Sequence, residues 1–107
     1  MNRTKLILLG SAVALSACSG VKLTDEGEKV RVLDPAEVET CRNIGRTNTS
    51  VTSRLVFERP EDVVSDELRI IARNSAARMG GDTIVPLTVI EDGNQTFMVY
   101  KCVNPDG

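Results

Sequence analysis

Apolar and polar residues alternate with different periods along this chain, and each period predicts an element. Leu6 to Ala17 is an unbroken apolar or small block, with Gly10, Ser11 and Ser16 its only non-apolar members. Ser19 to Gly27 follows as a short polar stretch with the feel of a tether. Glu28-Lys29-Val30-Arg31-Val32-Leu33 alternates polar and apolar and predicts a first strand. Asp34-Pro35-Ala36-Glu37 reads as an N-cap, a proline at the first helical position and an acidic turn that delivers the chain to Cys41. Arg46 to Phe57, rich in Thr, Ser and Val, predicts a second strand. Val51, Leu55 and Phe57 share one face of it, and Thr52 and Arg54 the solvated other.

The period then changes to that of a helix. Val64, Leu68, Ile71, Ala72, Ser75 and Met79 recur at spacings of three and four, which draws one buried stripe along about five turns. Pro60-Glu61-Asp62 opens this helix, because proline in the first turn loses no needed donor and two carboxylates meet the positive end of the dipole. Asp66 and Arg69 form an i,i+3 pair on another face, and Gly80-Gly81 ends the helix with a left-handed position. Two strands follow, Asp82 to Ile90 and Gln95 to Val103, joined around Glu91-Asp92-Gly93-Asn94; Asp-Gly between apolar runs is a strong hairpin signal. Pro86 demotes its strand to an edge or marks a bulge. Phe97 and Val99, with the neighbourhood of Cys102, face inward, and Met98 and Tyr100 outward. The expected fold is α+β in two layers: one long helix on a three- to four-stranded sheet, in the order β-β-α-β-β.

Composition narrows the core and the partners. The 107 residues contain no Trp, one Tyr and two Phe, so the core is aliphatic and thin. Residues 18–107 carry eleven basic and fifteen acidic side chains, a net charge of −4. That balance argues against nucleic acid or an anionic lipid surface as an electrostatic partner.

Catalytic chemistry finds little to work with. No histidine is present, which removes the usual general base and the commonest metal ligand. No Gly-x-Ser-x-Gly, Walker loop or paired-Cys zinc motif occurs. Gly80-Gly81-Asp82-Thr83 follows a helix, so it offers no helix N-terminus to an anion and reads as a C-cap. We therefore expect no enzyme, no catalytic residue, no cofactor and no resident metal. The acidic turns at 25–28 and 91–94 leave an alternative open, a module binding a small ligand or metal ion.

The N-terminus speaks to location. Arg3 and Lys5 precede the apolar block, a charged region and hydrophobic region of secretory length. The block is shorter than the roughly 20 residues of a spanning helix. Leu15-Ser16-Ala17-Cys18 resembles the lipobox of bacterial lipoproteins. That resemblance implies a signal peptide at 1–17, cleavage before Cys18, diacylation of its thiol and N-acylation of the new terminus. An acylated cysteine and tether would occupy 18–27, and a periplasmic domain 28–107. With Cys18 used by lipid, Cys41 and Cys102 remain, and in an oxidising compartment two such cysteines pair. The loop would span about 62 residues, worth roughly 4 kcal/mol by chain entropy. A redox or metal-binding thiol pair is the alternative, with no CxxC and no His to favour it.

The whole region from 18 to about 103 resembles a family of short proteobacterial lipoproteins of unknown function. The residues that carry the likeness are the 21–33 segment, Cys41-Arg42 with Gly45, Ala72-Arg73-Asn74, the run from Ala76 to Leu87, Glu91-Asp92-Gly93, Gln95-Thr96-Phe97 and Tyr100-Lys101-Cys102. A more distant likeness is to the Rcs envelope-stress sensor lipoproteins, whose pattern adds further disulfide cysteines and a long proline-rich tether. The lipoprotein resemblance implies sorting by the residue after the acylated cysteine. Aspartate there retains a protein in the inner membrane, so Ser19 implies the outer membrane. The partners implied are the membrane, through the N-terminal lipid, and an envelope protein.

Overall fold

The computed structural model describes residues 21–51 and 60–106. Within them lie α1 (Asp25–Glu28), β1 (Arg31–Val32), a 3₁₀ turn (Pro35–Val38), β2 (Arg42–Ser50), α2 (Glu61–Arg78), β3 (Thr83–Pro86) and β4 (Asn94–Lys101). Apart from the two short turns this is the expected β-β-α-β-β order, and the fold is α+β. The described strands form one mixed sheet ordered β1-β3-β4-β2. β1 runs parallel to β3, and the other neighbours are antiparallel.

α2 lies on one face of the sheet because its apolar stripe has nowhere else to go. Val64, Leu68, Ala72 and Ala76 are buried against Val30, Ile84, Phe97 and Val99. The stripe differs from the expected one at its end: Ala76 takes the buried place, Ser75 is half-buried and Met79 is 37% exposed. The helix stops there. Gly80 adopts φ 87°, and the N–H groups of Gly80 and Gly81 donate to the carbonyls of Ala77 and Ala76. That pair of bonds is a Schellman cap, and the left-handed residue inside it costs glycine little.

The strand boundaries also moved. β1 is only Arg31–Val32, since Glu28 belongs to α1. β2 begins at Arg42, earlier than Arg46, because it pairs with β4 from Arg42↔Lys101 to Ser50↔Asn94, with one register shift between Asn43 and Gly45. Pairing overrides the weak strand preference of Arg and Asn there. Its inward face carries the buried Thr47 and Thr49, and just beyond the strand Val51 packs against the core as expected. The Thr47 hydroxyl lies 2.8 Å from that of Ser75 on α2, and Thr49 donates to the Gln95 carbonyl at 2.7 Å. Leu55, Phe57, Thr52 and Arg54 lie outside the described residues.

β3 is an inner strand, so the expected edge position is corrected. β1 reaches only as far as Ile84, whose carbonyl accepts from Leu33 at 3.0 Å. Pro86 stands beyond that end, where no β1 group needs its missing donor. The hairpin signal itself holds. Glu91 and Asn94 exchange two backbone bonds of 2.9 Å, and Asp92 and Gly93 take φ 50° and 72°, the signs of a type I′ turn. Phe97 and Val99 point to α2, and Met98 and Tyr100 sit half-buried on the other face.

Cys41 and Cys102 are bonded to one another, with Cα atoms 4.4 Å apart. They extend the β2–β4 ladder by one rung past Arg42↔Lys101, and that separation is the one expected of a non-hydrogen-bonded antiparallel pair. The bond joins positions 61 apart and closes a loop that contains β2, α2, β3 and all of β4. Chain entropy assigns it roughly 4 kcal/mol. Reduction, or Cys41→Ser with Cys102→Ser, should therefore lower Tm by 10 °C or more, by about the ratio of that energy to the unfolding entropy of a small domain. Thermal unfolding followed by circular dichroism checks this; an unchanged Tm would mean the bond contributes nothing.

Candidate functional site

The side chains that tie the N-terminal residues to the domain come from two neighbouring positions on α2, Arg73 and Asn74. Asn74 Oδ1 accepts from the Thr24 amide at 2.9 Å and from the Thr24 hydroxyl at 3.1 Å, and its Nδ2 donates to the Lys22 carbonyl at 2.9 Å. Arg73 Nε donates to the Val30 carbonyl at 2.9 Å, and its Nη2 to the Glu28 carbonyl at 3.1 Å. Between these grips the chain makes one helical turn. Thr24 caps it by accepting from the Gly27 amide at 2.9 Å.

Residues 22–30 thus form a strap across α2. Those up to Gly27, expected to be tether, belong to the folded body. Gly27 is buried, and a Cβ there would run into Asn74 Oδ1 and come within 3.0 Å of Thr24 Oγ1. Only a residue without a side chain allows the strap to lie this close. The strap then feeds Val30, 2% exposed, into the core.

A second polar tie sits at the start of β3, beside the point where the strap enters the sheet: the Arg31 amide donates to the Asp82 carbonyl at 3.0 Å. Asp82 Oδ1 accepts from the Cys102 amide at 2.8 Å and from the Thr83 hydroxyl at 3.0 Å, and Oδ2 accepts from the Val103 amide at 2.9 Å. Burial alone would push this carboxyl up. The two amides, the hydroxyl and the charge of Lys101 outweigh it and hold the group below its ordinary value of 3.8. Asp82 therefore pins the chain immediately after β4, where the disulfide also lies, to the start of β3.

Between strap and corner runs an open cleft of about 270 Å³, with Glu26 and Lys29 on one side and Asp82 and Lys101 on the other. Its charges balance, Glu26 and Lys29 approach to 3.6 Å, and both Asp82 oxygens are occupied by donors. A larger hollow of about 400 Å³ lies against the 88–96 hairpin, beside Glu91 and Asp92. Among the described residues, no three Cys, Asp or Glu side chains gather as a metal site, so the acidic turns at 25–28 and 91–94 do not converge. No helix among them is long and apolar enough to cross a membrane. Cys18 and Ser19 lie outside the described residues. The cysteine pair is legible in the sequence, and neither polar tie is. Asn74 and Thr24 are 50 positions apart, so no local pattern joins them.

Residues 21–102 match the family described as Domain of unknown function (DUF4156), and the chain belongs to it. No curated protein matches the chain, and neither does any solved structure, so the likeness to the Rcs sensors gains no support from either.

Two outcomes follow from the ties. Gly27→Ala should cost about 1–3 kcal/mol, the range for overpacking a filled site. In hydrogen exchange it should strip protection from the amides of residues 27–30 while α2 keeps its own; equal protection in both proteins would refute the close contact. Asp82 should make stability pH-dependent. A carboxyl held low in the fold adds stability above its ordinary value of 3.8, and loses it as pH falls through the lower folded value. Urea denaturation at neutral pH should show Asp82→Asn roughly 1–2 kcal/mol less stable, since it leaves one backbone donor unpaired. The two proteins should converge in strong acid, and a constant gap at every pH would count against the charge.

Proposed function

We propose that this member of the family is an outer-membrane lipoprotein, exported by residues 1–17, acylated at Cys18 and sorted by Ser19. Its α+β domain faces the periplasm and serves as a non-enzymatic module that binds an envelope protein. The observation that carries this reading is the run Leu15-Ser16-Ala17-Cys18 directly behind a charged and then apolar segment. The Cys41–Cys102 bond supports it, because such bonds persist in oxidising compartments. Three acyl chains at about 0.8 kcal/mol per buried CH₂ would make the anchor effectively permanent. The lack of any histidine and the structural use of the Asp82 carboxylate, which holds two backbone amides, favour a binding role over a catalytic one.

Fractionation of a Gram-negative host tests the reading. The wild type should appear in the outer membrane with a mass increased by the acyl groups. Cys18→Ser should leave the signal uncleaved and the protein unacylated, and Ser19→Asp should move it to the inner membrane. An unmodified Cys18 in the wild type would overturn the proposal. Crosslinked envelopes should yield a reproducible partner with the acylated form; recovery of none would remove the interaction role and leave the anchor standing.

A further inference from the structure

The strap determines which side of the domain meets a membrane. Only Ser19, Gly20 and Val21 separate Cys18 from Lys22, whose carbonyl Asn74 holds at 2.9 Å. At a fully extended ~3.6 Å per residue, the Lys22 backbone lies within about 14 Å of Cys18. The polar headgroup layer on each side of a bilayer is itself roughly 5–8 Å deep. The folded body therefore begins almost at the lipid surface.

Its orientation follows from the helix. At 100° per residue, the direction midway between Arg73 and Asn74 falls nearly opposite the buried stripe of Val64, Leu68, Ala72 and Ala76. The strap crosses the side of α2 turned away from the sheet, and the chain leads to Cys18 from that side. Val63, 37% exposed, and Asp66, also exposed, lie on the same side nearer the start of α2. Arg46 and Asn48 are exposed on the opposite face of the sheet from Thr47 and Thr49.

We propose that the domain lies with its strap and the outer side of α2 against the lipid headgroups of its own leaflet. The sheet face carrying Arg46 and Asn48 then turns toward the periplasm. This rests on the lipoprotein reading above. The strap itself carries two lysines, Lys22 and Lys29, against three acidic residues, Asp25, Glu26 and Glu28. The short leash, not a basic patch, sets the orientation.

The chain has no Trp, so a single introduced one reports without background. Full-length acylated protein carrying Val63→Trp or Asn48→Trp is reconstituted into phosphatidylethanolamine–phosphatidylglycerol vesicles containing brominated lipid. Val63→Trp should be quenched several-fold more than Asn48→Trp, and Asp66→Trp should repeat the result should Val63→Trp fail to fold by circular dichroism. Adding Gly27→Ala, which loosens the strap, should shrink the difference. Equal quenching in protein whose mass shows acylated Cys18 overturns this orientation alone. A mass without acyl groups overturns the anchored reading and this inference with it.

Discussion

One aliphatic seam holds the molecule together: Val64, Leu68, Ala72 and Ala76 of α2 closed against Val30, Ile84, Phe97 and Val99. Two of the four helix positions are alanines, so the helix backbone rides close to the sheet. The same closeness shows at the helix end, where a Cβ on Gly81 would strike Val99 Cγ1. Such an interface packs densely but removes little apolar area from water, because alanine has little to remove. The remaining ties in the fold answer to that limit.

Those ties are polar or covalent, and they sit where the seam ends. Threonine hydroxyls complete the β2 side of the core without leaving an unpaired group; no buried side-chain nitrogen or oxygen among the described residues lacks a partner. The disulfide and Asp82 hold the far end of β4, one covalently and one through two amides. Arg73 and Asn74 hold the strap. α2 is consequently gripped on both sides, by the sheet along its stripe and by the strap behind it. A pull on the N-terminus would be met first by Asn74 and then by Val30 in the core.

Features written within one stretch of chain were legible in the sequence. Pro60, which stands at the N-cap, and the left-handed Gly80 bracket α2 because both act locally, and Asp92-Gly93 turns the hairpin for the same reason. The disulfide was legible by elimination, once Cys18 was assigned to lipid. Features that need two distant segments were not. Gly27 and Thr24 looked like tether because nothing near them announces Asn74. Asp82 looked like the tail of a helix cap because its partners, the amides of Cys102 and Val103, lie on the far side of the hairpin. Ala76 takes the last buried place of the stripe, and Met79, the C-cap residue at the end of the helix, is left 37% exposed. Of the candidate site, Cys18 and Ser19 were read from a motif, and the strap of residues 22–30 came only from the fold.

The strap is gripped chiefly by its main chain. The carbonyls of Lys22, Glu28 and Val30 and the amide of Thr24 are what Arg73 and Asn74 touch, while the Lys22 and Glu28 side chains point to solvent. The charge of this segment can therefore be rewritten in evolution without disturbing how it docks. The freedom ends at Thr24, whose hydroxyl both caps the turn and reaches Asn74, at Gly27 and at the two helix residues, so divergence among related chains should fall on the other strap side chains and spare these four.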